Sequence, residues 1–341
     1  MLIEEQRSNL LLRSSDLSNT SVWTQASLGT GGTITGNSVI APDGTTSASS
    51  FKEGTGSVSP TVYQSSTLLN ATVYTFSIYV KRVIGTRDTQ LRFEAPTVNT
   101  ATFNLSTVTV TNVTSGATAS ITSVGNGWYR LTITATSNGT FGYAQPVMST
   151  VSGGAYTGDG ISTNAYWGAQ LEAGAFATSY IPTAASQVTR AADVATIQGS
   201  NFYSWYNRGE GTINSTYFFA APTSGSINKV LAFDPIAAGS YATICVAGGA
   251  QTGWFASGLS MPTASAGVIN KQAIAYNSWG GFSGALNNVL ATSSTTSDYT
   301  GASTALYLGQ RSNGQYMNGT IKQISYYPQR LSDSVLKGLT A

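Results

Sequence analysis

The side chains best placed to do chemistry in this sequence are aromatic rather than ionisable. Trp254 and Phe255 stand in Thr-Gly-Trp-Phe, Trp279 and Phe282 in Ser-Trp-Gly-Gly-Phe, and Tyr299 follows Ser-Asp and precedes Thr-Gly. Flat rings in glycine-rich, exposed contexts stack on the C–H faces of sugars, while neighbouring Asn, Asp and Gln bond the hydroxyls. These five rings form the candidate ligand-binding set. The plainer alternative is that each plugs the rim of a β-sandwich or a subunit contact.

Acid–base and metal chemistry find little support. The chain has no histidine, which removes Ser-His-Asp and Cys-His triads and every His-based metal site. The single cysteine, Cys245 in Tyr-Ala-Thr-Ile-Cys-Val, forms no intrachain disulfide and reads as a small buried hydrophobe. No phosphate-binding or dinucleotide fingerprint occurs. Of the 14 acids, Glu4, Glu5, Asp16 and Asp43 lie in the opening stretches, and Glu172, Asp193 and Glu210 lie near the middle. A retaining glycosidase needs two carboxyls roughly 5–5.5 Å apart, and no Glu-x-Asp-x-Glu strand suggests such a pair. No catalytic residue, metal ligand or cofactor is assigned, and a non-enzymatic protein is expected. Asp159 in Thr-Gly-Asp-Gly and Asp298 could ligate calcium, but a lone Asp in a turn is more often structural.

Composition narrows the class further. Charged residues make up 9%, against roughly 25% in ordinary soluble domains; Gly, Ser, Thr, Asn and Ala replace them. A net charge of +2 with no basic run gives no electrostatic support for nucleic-acid binding. No apolar run reaches the roughly 18 residues of a membrane span, and Met-Leu-Ile-Glu-Glu-Gln-Arg lacks the features of a signal peptide. Synthesis in the cytoplasm without export is expected.

The elements that must hold any site are strands. Tyr74 to Lys81 alternates cleanly: Tyr74, Phe76, Ile78 and Val80 on one face, Thr75, Ser77, Tyr79 and Lys81 on the other. Asn9–Leu12, Gln90–Phe93, Thr102–Leu105, Val108–Val110, Gly125–Ile133, Phe141–Met148 and Tyr166–Leu171 read as further short strands, and Ala41-Pro-Asp-Gly as a turn. Trp167 to Leu171 reads as a half-buried strand, broken at Gly174 and sent out extended by Ile181-Pro182. The second half gives strands near Ile213–Phe219, Lys229–Phe233, Tyr241–Val246, Gln251–Phe255, Lys271–Tyr276, Gly284–Leu290 and Ala305–Gly309. After Gly319–Tyr327 and Pro328 comes one short helix, with Ser332 as N-cap, Leu331 as staple and Val335, Leu336 and Leu339 as its apolar stripe. The expected fold class is all-β: two tandem antiparallel β-sandwiches and one C-terminal helix, with domains at 1–182 and 202–341 joined by a linker at 183–201.

Three groups of strings carry a resemblance to known families. Tyr166-Trp-Gly-Ala-Gln-Leu-Glu-Ala-Gly with Thr178-Ser-Tyr-Ile-Pro and Val188-Thr-Arg-Ala-Ala-Asp193, together with the opening Glu4 to Leu12, resembles bacteriophage tail-fibre, head-fibre and head-spike proteins. Tyr74-Thr-Phe-Ser-Ile-Tyr-Val-Lys and Gly125-Asn-Gly-Trp-Tyr-Arg look like carbohydrate-binding-module jelly rolls. Lys271-Gln-Ala-Ile-Ala-Tyr, Leu286-Asn-Asn288, Leu306-Tyr-Leu-Gly and Asn318-Gly-Thr-Ile-Lys-Gln-Ile-Ser-Tyr-Tyr-Pro resemble the concanavalin-A-like, laminin-G-like lectin sandwich, with Asn288 where that family usually has Gly. The resemblance implies a structural protein on the surface of a phage particle, a capsid (head) fibre, spike or decoration protein, with adhesion to host-surface glycans. Its implied partners are other virion proteins of capsid or tail and copies of itself, as a homo-oligomer, in trimers by family habit, through aromatics such as Tyr203, Trp205 and Tyr206. The opening run begins almost at Met1, which favours a short decoration protein over a long tail fibre. A tail-fibre receptor binder and a polysaccharide depolymerase remain the alternatives.

Overall fold

The computed structural model describes residues 1–150, 152–219, 227–234, 242–247, 254–255, 261–277, 281–291, 303–310 and 316–341. The chain is all-β. Apart from a single helical turn at Ser200–Tyr203, the only described helix is the C-terminal Asp333–Leu339. It divides into two compact units, Arg7–Arg190 and Met1–Gln6 with Ala191–Ala341. Among the described residues, no helix is long and apolar enough to cross a membrane.

The unit Arg7–Arg190 is built on two six-stranded antiparallel sheets with a shared core, beside two two-stranded pairings. The first runs Thr118–Gly125, Trp128–Thr136, Val73–Ile84, Thr163–Ala173, Thr46–Lys52, Thr33–Ile40. The second runs Thr109–Thr111, Val98–Asn104, Asp88–Glu94, Phe141–Ser149, Thr61–Thr67, Thr24–Ala26. The alternation read from sequence sets the inward faces. Phe76, Ile78, Val80, Leu131 and Ile133 of the first sheet meet Leu91, Phe93, Phe103 and Met148 of the second, all fully buried. Trp23 closes the same core at 0% exposed. A buried large apolar side chain contributes roughly 1.5–3 kcal/mol, so this interdigitated layer is the main source of the unit's stability.

The strand Thr163–Ala173 departs from expectation in an informative way. It lies at the centre of its sheet and is buried on both faces rather than half-buried. The chain that follows folds back over the outer face as a strap. Gln170 Nε2 donates to Glu172 Oε1 at 2.7 Å, Gln170 Oε1 accepts from the Ile181 amide at 2.6 Å, and Glu172 accepts from the amide and hydroxyl of Thr178 at 2.9 and 2.7 Å. Gly174 returns a carbonyl to Thr75 Oγ1 at 2.8 Å. Two polar side chains that would face water in an ordinary strand are thus satisfied by the strap they hold, as burial requires.

Leu10–Leu12 is not strand. Only Arg7–Asn9 pairs, with Val188–Arg190. Asn9, fully buried, donates to the carbonyls of Ala169 and Ile181 at 3.1 and 2.9 Å and accepts from the amides of Leu11 and Leu171 at 3.1 and 3.2 Å. That side chain replaces a ladder and turns the backbone, while Leu11 still reaches the core.

The other unit also carries two sheets over one core. Leu2–Ile3 pairs with Gly319–Tyr327, which continues through Glu210–Phe219, Ile269–Asn277, Phe282–Leu286 and Val289–Leu290. The second sheet holds Thr196–Gln198, Ala305–Leu308, Ile227–Asp234, Ala242–Ala247 and Trp254–Phe255. Residues 1–6 therefore fold with the second half, not with the domain 1–182. The span 183–201, read as a linker, contains two paired strands, Val188–Arg190 and Thr196–Gln198. The strand read over Gly284–Leu290 is folded at its middle, at the Leu286-Asn-Asn string of the lectin-like resemblance: Asn287 and Asn288 take φ of 47° and 66°, the left-handed pair a two-residue hairpin needs. In the C-terminal helix Leu336 packs on Ala273, Ala275 and Ala285 with Leu331 and Leu339 beside it, but Val335 is exposed. Ser332 is the N-cap residue, yet its hydroxyl pairs with Ser334 and not with a helix amide.

Candidate functional site

The outward face of the sheet that holds Val73–Ile84 carries a groove of about 570 Å³. Its floor is three neighbouring strands. Val73–Ile84 contributes Tyr79, Trp128–Thr136 contributes Arg130, Thr132 and Thr134, and Thr118–Gly125 contributes Thr118, Ser120 and Thr122. One wall is the strap, through Ala175, Phe176 and Ala177. Period-two alternation accounts for the floor: when Phe76, Ile78, Leu131 and Ile133 face the core, Tyr79, Arg130 and Thr132 must face away. Tyr79 and Arg130 lie directly opposite each other across the ladder, as do Arg130 and Thr122.

The groove's polar groups are ordered before any ligand arrives. Ser120 Oγ and Thr132 Oγ1 are 2.7 Å apart, and Thr134 Oγ1 is 2.8 Å from Thr75 Oγ1. Arg130 lies over the Tyr79 ring at 5.3 Å, and its Nη2 donates to Ser77 Oγ at 2.9 Å. Tyr79 is also held from behind, edge-on to Trp167 at 5.4 Å and to Tyr180 at 6.4 Å. At the strap, the Arg7 guanidinium, which is not part of the groove lining, lies 5.2 Å from the Phe176 ring centre. The lining thus combines two aromatic rings, a row of hydroxyls and one cation, with no carboxylate. It can stack an apolar ring face and bond hydroxyl groups; it holds no acid–base pair.

A smaller pocket of about 400 Å³ lies on the other side of the same aromatic cluster, lined by Ser15, Asp43, Thr45, Ser47, Trp167 and Tyr180 with Pro182. Trp167 Nε1 donates to Ser47 Oγ at 2.9 Å, and Tyr180 Oη is 2.6 Å from Ser14 Oγ. Burial pushes the Tyr180 hydroxyl up to about 12.

Of the ring set expected from sequence, the structure describes the side chain of Phe282 alone. Phe282 is 0% exposed, part of the core with Ile274, Tyr276 and Leu286. It alternates inward on the strand Phe282–Leu286, so no sugar reaches it. Trp254 and Phe255 lie on a two-residue strand paired with Thr243 and Ala242. Trp279, Tyr299 and Asp298 lie outside the described residues. Of the aromatics expected at a subunit contact, Trp205 and Tyr206 pack against the core, 4.8 Å from Tyr326 and 4.5 Å from Phe202 respectively, while Tyr203 is exposed. Asp159 is a turn residue. Its carboxylate accepts from the amides of Ile161 and Ser162 at 2.8 and 2.7 Å and from Ser162 Oγ at 2.6 Å, with Arg87 Nη2 3.5 Å away. The Ser162 hydroxyl and the two amides hold the carboxyl well below the usual carboxylate range.

Sequence reasoning did not single out Tyr79, Arg130 and Phe176, which line the groove. Two of them carried a readable signal: Tyr79 is an aromatic on the polar face of an alternating strand, and Arg130 follows Gly-Trp-Tyr in the next one. Phe176 carried none, because nothing local says that residues 174–180 fold back over the sheet.

Comparison with known proteins adds a little. No protein-family model matches the chain, and no curated protein matches it. Among solved structures, the N-terminal CBM22-1–CBM22-2 tandem domain from Paenibacillus barcinonensis Xyn10C aligns over 96% of this chain and 100% of that one, with 12% identity and a TM-score of 0.31. Likeness at that level leaves the reading of the site to its own geometry.

Proposed function

We propose that this is a non-catalytic glycan-binding protein that uses the groove over Tyr79, Arg130 and Phe176, and that it is displayed on the surface of a bacteriophage particle as a head fibre, spike or decoration protein. The observation that carries the glycan reading is the groove itself. It presents aromatic faces and preordered hydroxyls on a rigid sheet, the combination that recognises a polyhydroxylated ring. Its lining holds no carboxylate, and the buried acids Glu53 and Glu172 are each engaged by three or more donors elsewhere, which favours binding over cleavage. The virion placement is supported by the strings at Tyr166–Pro182 and Val188–Asp193 and by the low charge of the chain. Assembly as a homo-oligomer belongs to the same proposal.

Two experiments test it. A glycan array probed with the intact protein, followed by the Tyr79→Ala variant on every hit, should give hits that the variant loses. Hits unaffected by Tyr79→Ala move the site elsewhere; an empty array removes the glycan reading. Immunogold labelling of purified particles should decorate the capsid. Label at the tail tip turns the reading to a receptor-binding tail fibre, and absence from particles ends the virion reading.

A further inference from the structure

We infer that the ligand is an acidic glycan, and that Arg130 is the residue that receives the sugar's carboxylate. The inference rests on the glycan-binding reading of the same groove and names the ligand class. Other arginines in this unit have carboxylate partners: Arg82 meets Asp88, Arg87 meets Glu53 at 2.7 Å, and Arg92 meets Glu94 at 3.2 Å. Arg130 has none among the described residues. Its only neighbours of note are the Ser77 hydroxyl at 2.9 Å and the Tyr79 ring at 5.3 Å, and its Nε–H, shielded from water, has no acceptor. A half-buried guanidinium held by a ring and a neutral hydroxyl has given up hydration without gaining a counter-charge.

The surroundings fit an anion bound with a sugar ring. No acid lines the groove, so nothing competes for the guanidinium or repels an incoming carboxylate. Thr122, opposite Arg130 in the ladder, and the Ser120–Thr132 pair lie where ring hydroxyls would follow, and Tyr79 gives the apolar face. The planar guanidinium fork matches a planar carboxylate better than a tetrahedral sulfate. A neutral glycan would stack on the same rings but leave Arg130 without its partner.

Calorimetric titration of the full chain tests this with three matched probe sets. The first contains oligogalacturonate, oligomannuronate and oligosialic acid; the second, their methyl esters; the third, a sulfated neutral oligosaccharide. At least one acid should bind about 10- to 100-fold more tightly than its ester, the span of a charge-assisted hydrogen bond. Arg130→Gln should erase that preference, and Arg130→Lys should restore only part of it. Rising salt should narrow the gap between acid and ester. Equal affinity for acid and ester, an acid preference that survives Arg130→Gln, or stronger binding of the sulfated probe would each overturn the inference while leaving glycan binding intact. Binding of no probe overturns the inference, while the glycan array decides the glycan reading separately. Thermal melts of both variants separate loss of fold from loss of the acid preference.

Discussion

Replacing Glu53 by Gln should destabilise the unit Arg7–Arg190 by about 2–3 kcal/mol. Glu53 is fully buried and receives four donors. Arg87 gives two of them, from Nε at 2.9 Å and Nη2 at 2.7 Å; the Tyr156 hydroxyl at 2.6 Å and the Asp159 amide at 2.7 Å complete the set. The Arg87 side chain also lies 4.4 Å over the Tyr156 ring. Removing one partner of a buried ion pair costs roughly 3–5 kcal/mol. Arg87 is 18% exposed and keeps Asp159 within 3.5 Å, which reduces the loss. The new amide also sets an NH₂ group against at least one donor, since each carboxylate oxygen serves two. At about 2–4 °C per kcal/mol for a unit of this size, the melting transition should fall by roughly 4–12 °C. Urea unfolding and calorimetry of the full chain read both numbers. Tyr156→Phe, which removes one donor and leaves the charges paired, should cost about 1–1.5 kcal/mol. A Glu53→Gln effect under about 0.5 kcal/mol, or a larger loss for Tyr156→Phe, would refute the view that this ion pair anchors the region.

Three other expectations follow from the same physics. Asn9→Ala strips two buried carbonyls and two buried amides of their partner and should cost about 3 kcal/mol, with loss of hydrogen-exchange protection at Leu11 and Leu171. Gly168→Ala puts a Cβ 2.9 Å from Tyr79 Cδ2 at a residue with φ of 65°; it should cost about 1–2 kcal/mol by unfolding and weaken ligand binding by displacing the groove's ring. Burial pushes the Tyr166 and Tyr180 hydroxyls up to about 12, so their neutral forms favour the native state. That contribution is complete below pH ~10, where the unfolded chain's tyrosines begin to ionise, and fades as pH rises towards 12. A urea series between pH 9 and 12 should show falling stability, and Tyr166→Phe should flatten the fall.

The sandwich was legible because its strands alternate. Tyr74 to Lys81 gave the inner and outer faces of a central strand, whereas alternation alone ran a strand from Gly284 to Leu290 through the left-handed Asn287-Asn288 turn, which only the lectin-like resemblance marked as a hairpin. Thr33–Ile40 and Thr46–Lys52 were not seen, since small hydroxyl residues carry little hydrophobic rhythm. The Leu-Leu-Leu run suggested a strand because sequence does not show Asn9 taking over the backbone's hydrogen bonds. Phe282 was misplaced for a related reason. Glycine-rich surroundings make Phe282 look exposed, whereas strand alternation turns it inward. Gln170 and Glu172 look solvent-facing until the strap that covers them is in place, and that strap is what gives the groove its wall.

The most direct test of the central claim is to map a bound glycan by nuclear magnetic resonance, using the strongest hit from the array and the intact protein. Shift changes should cluster at Tyr79, Arg130, Thr132 and Ala175–Ala177, with the core residues Ile78 and Leu131 little affected. Changes confined to the second half, around Trp254 or Trp279, would contradict the account and return the site to the loops that the sequence first suggested.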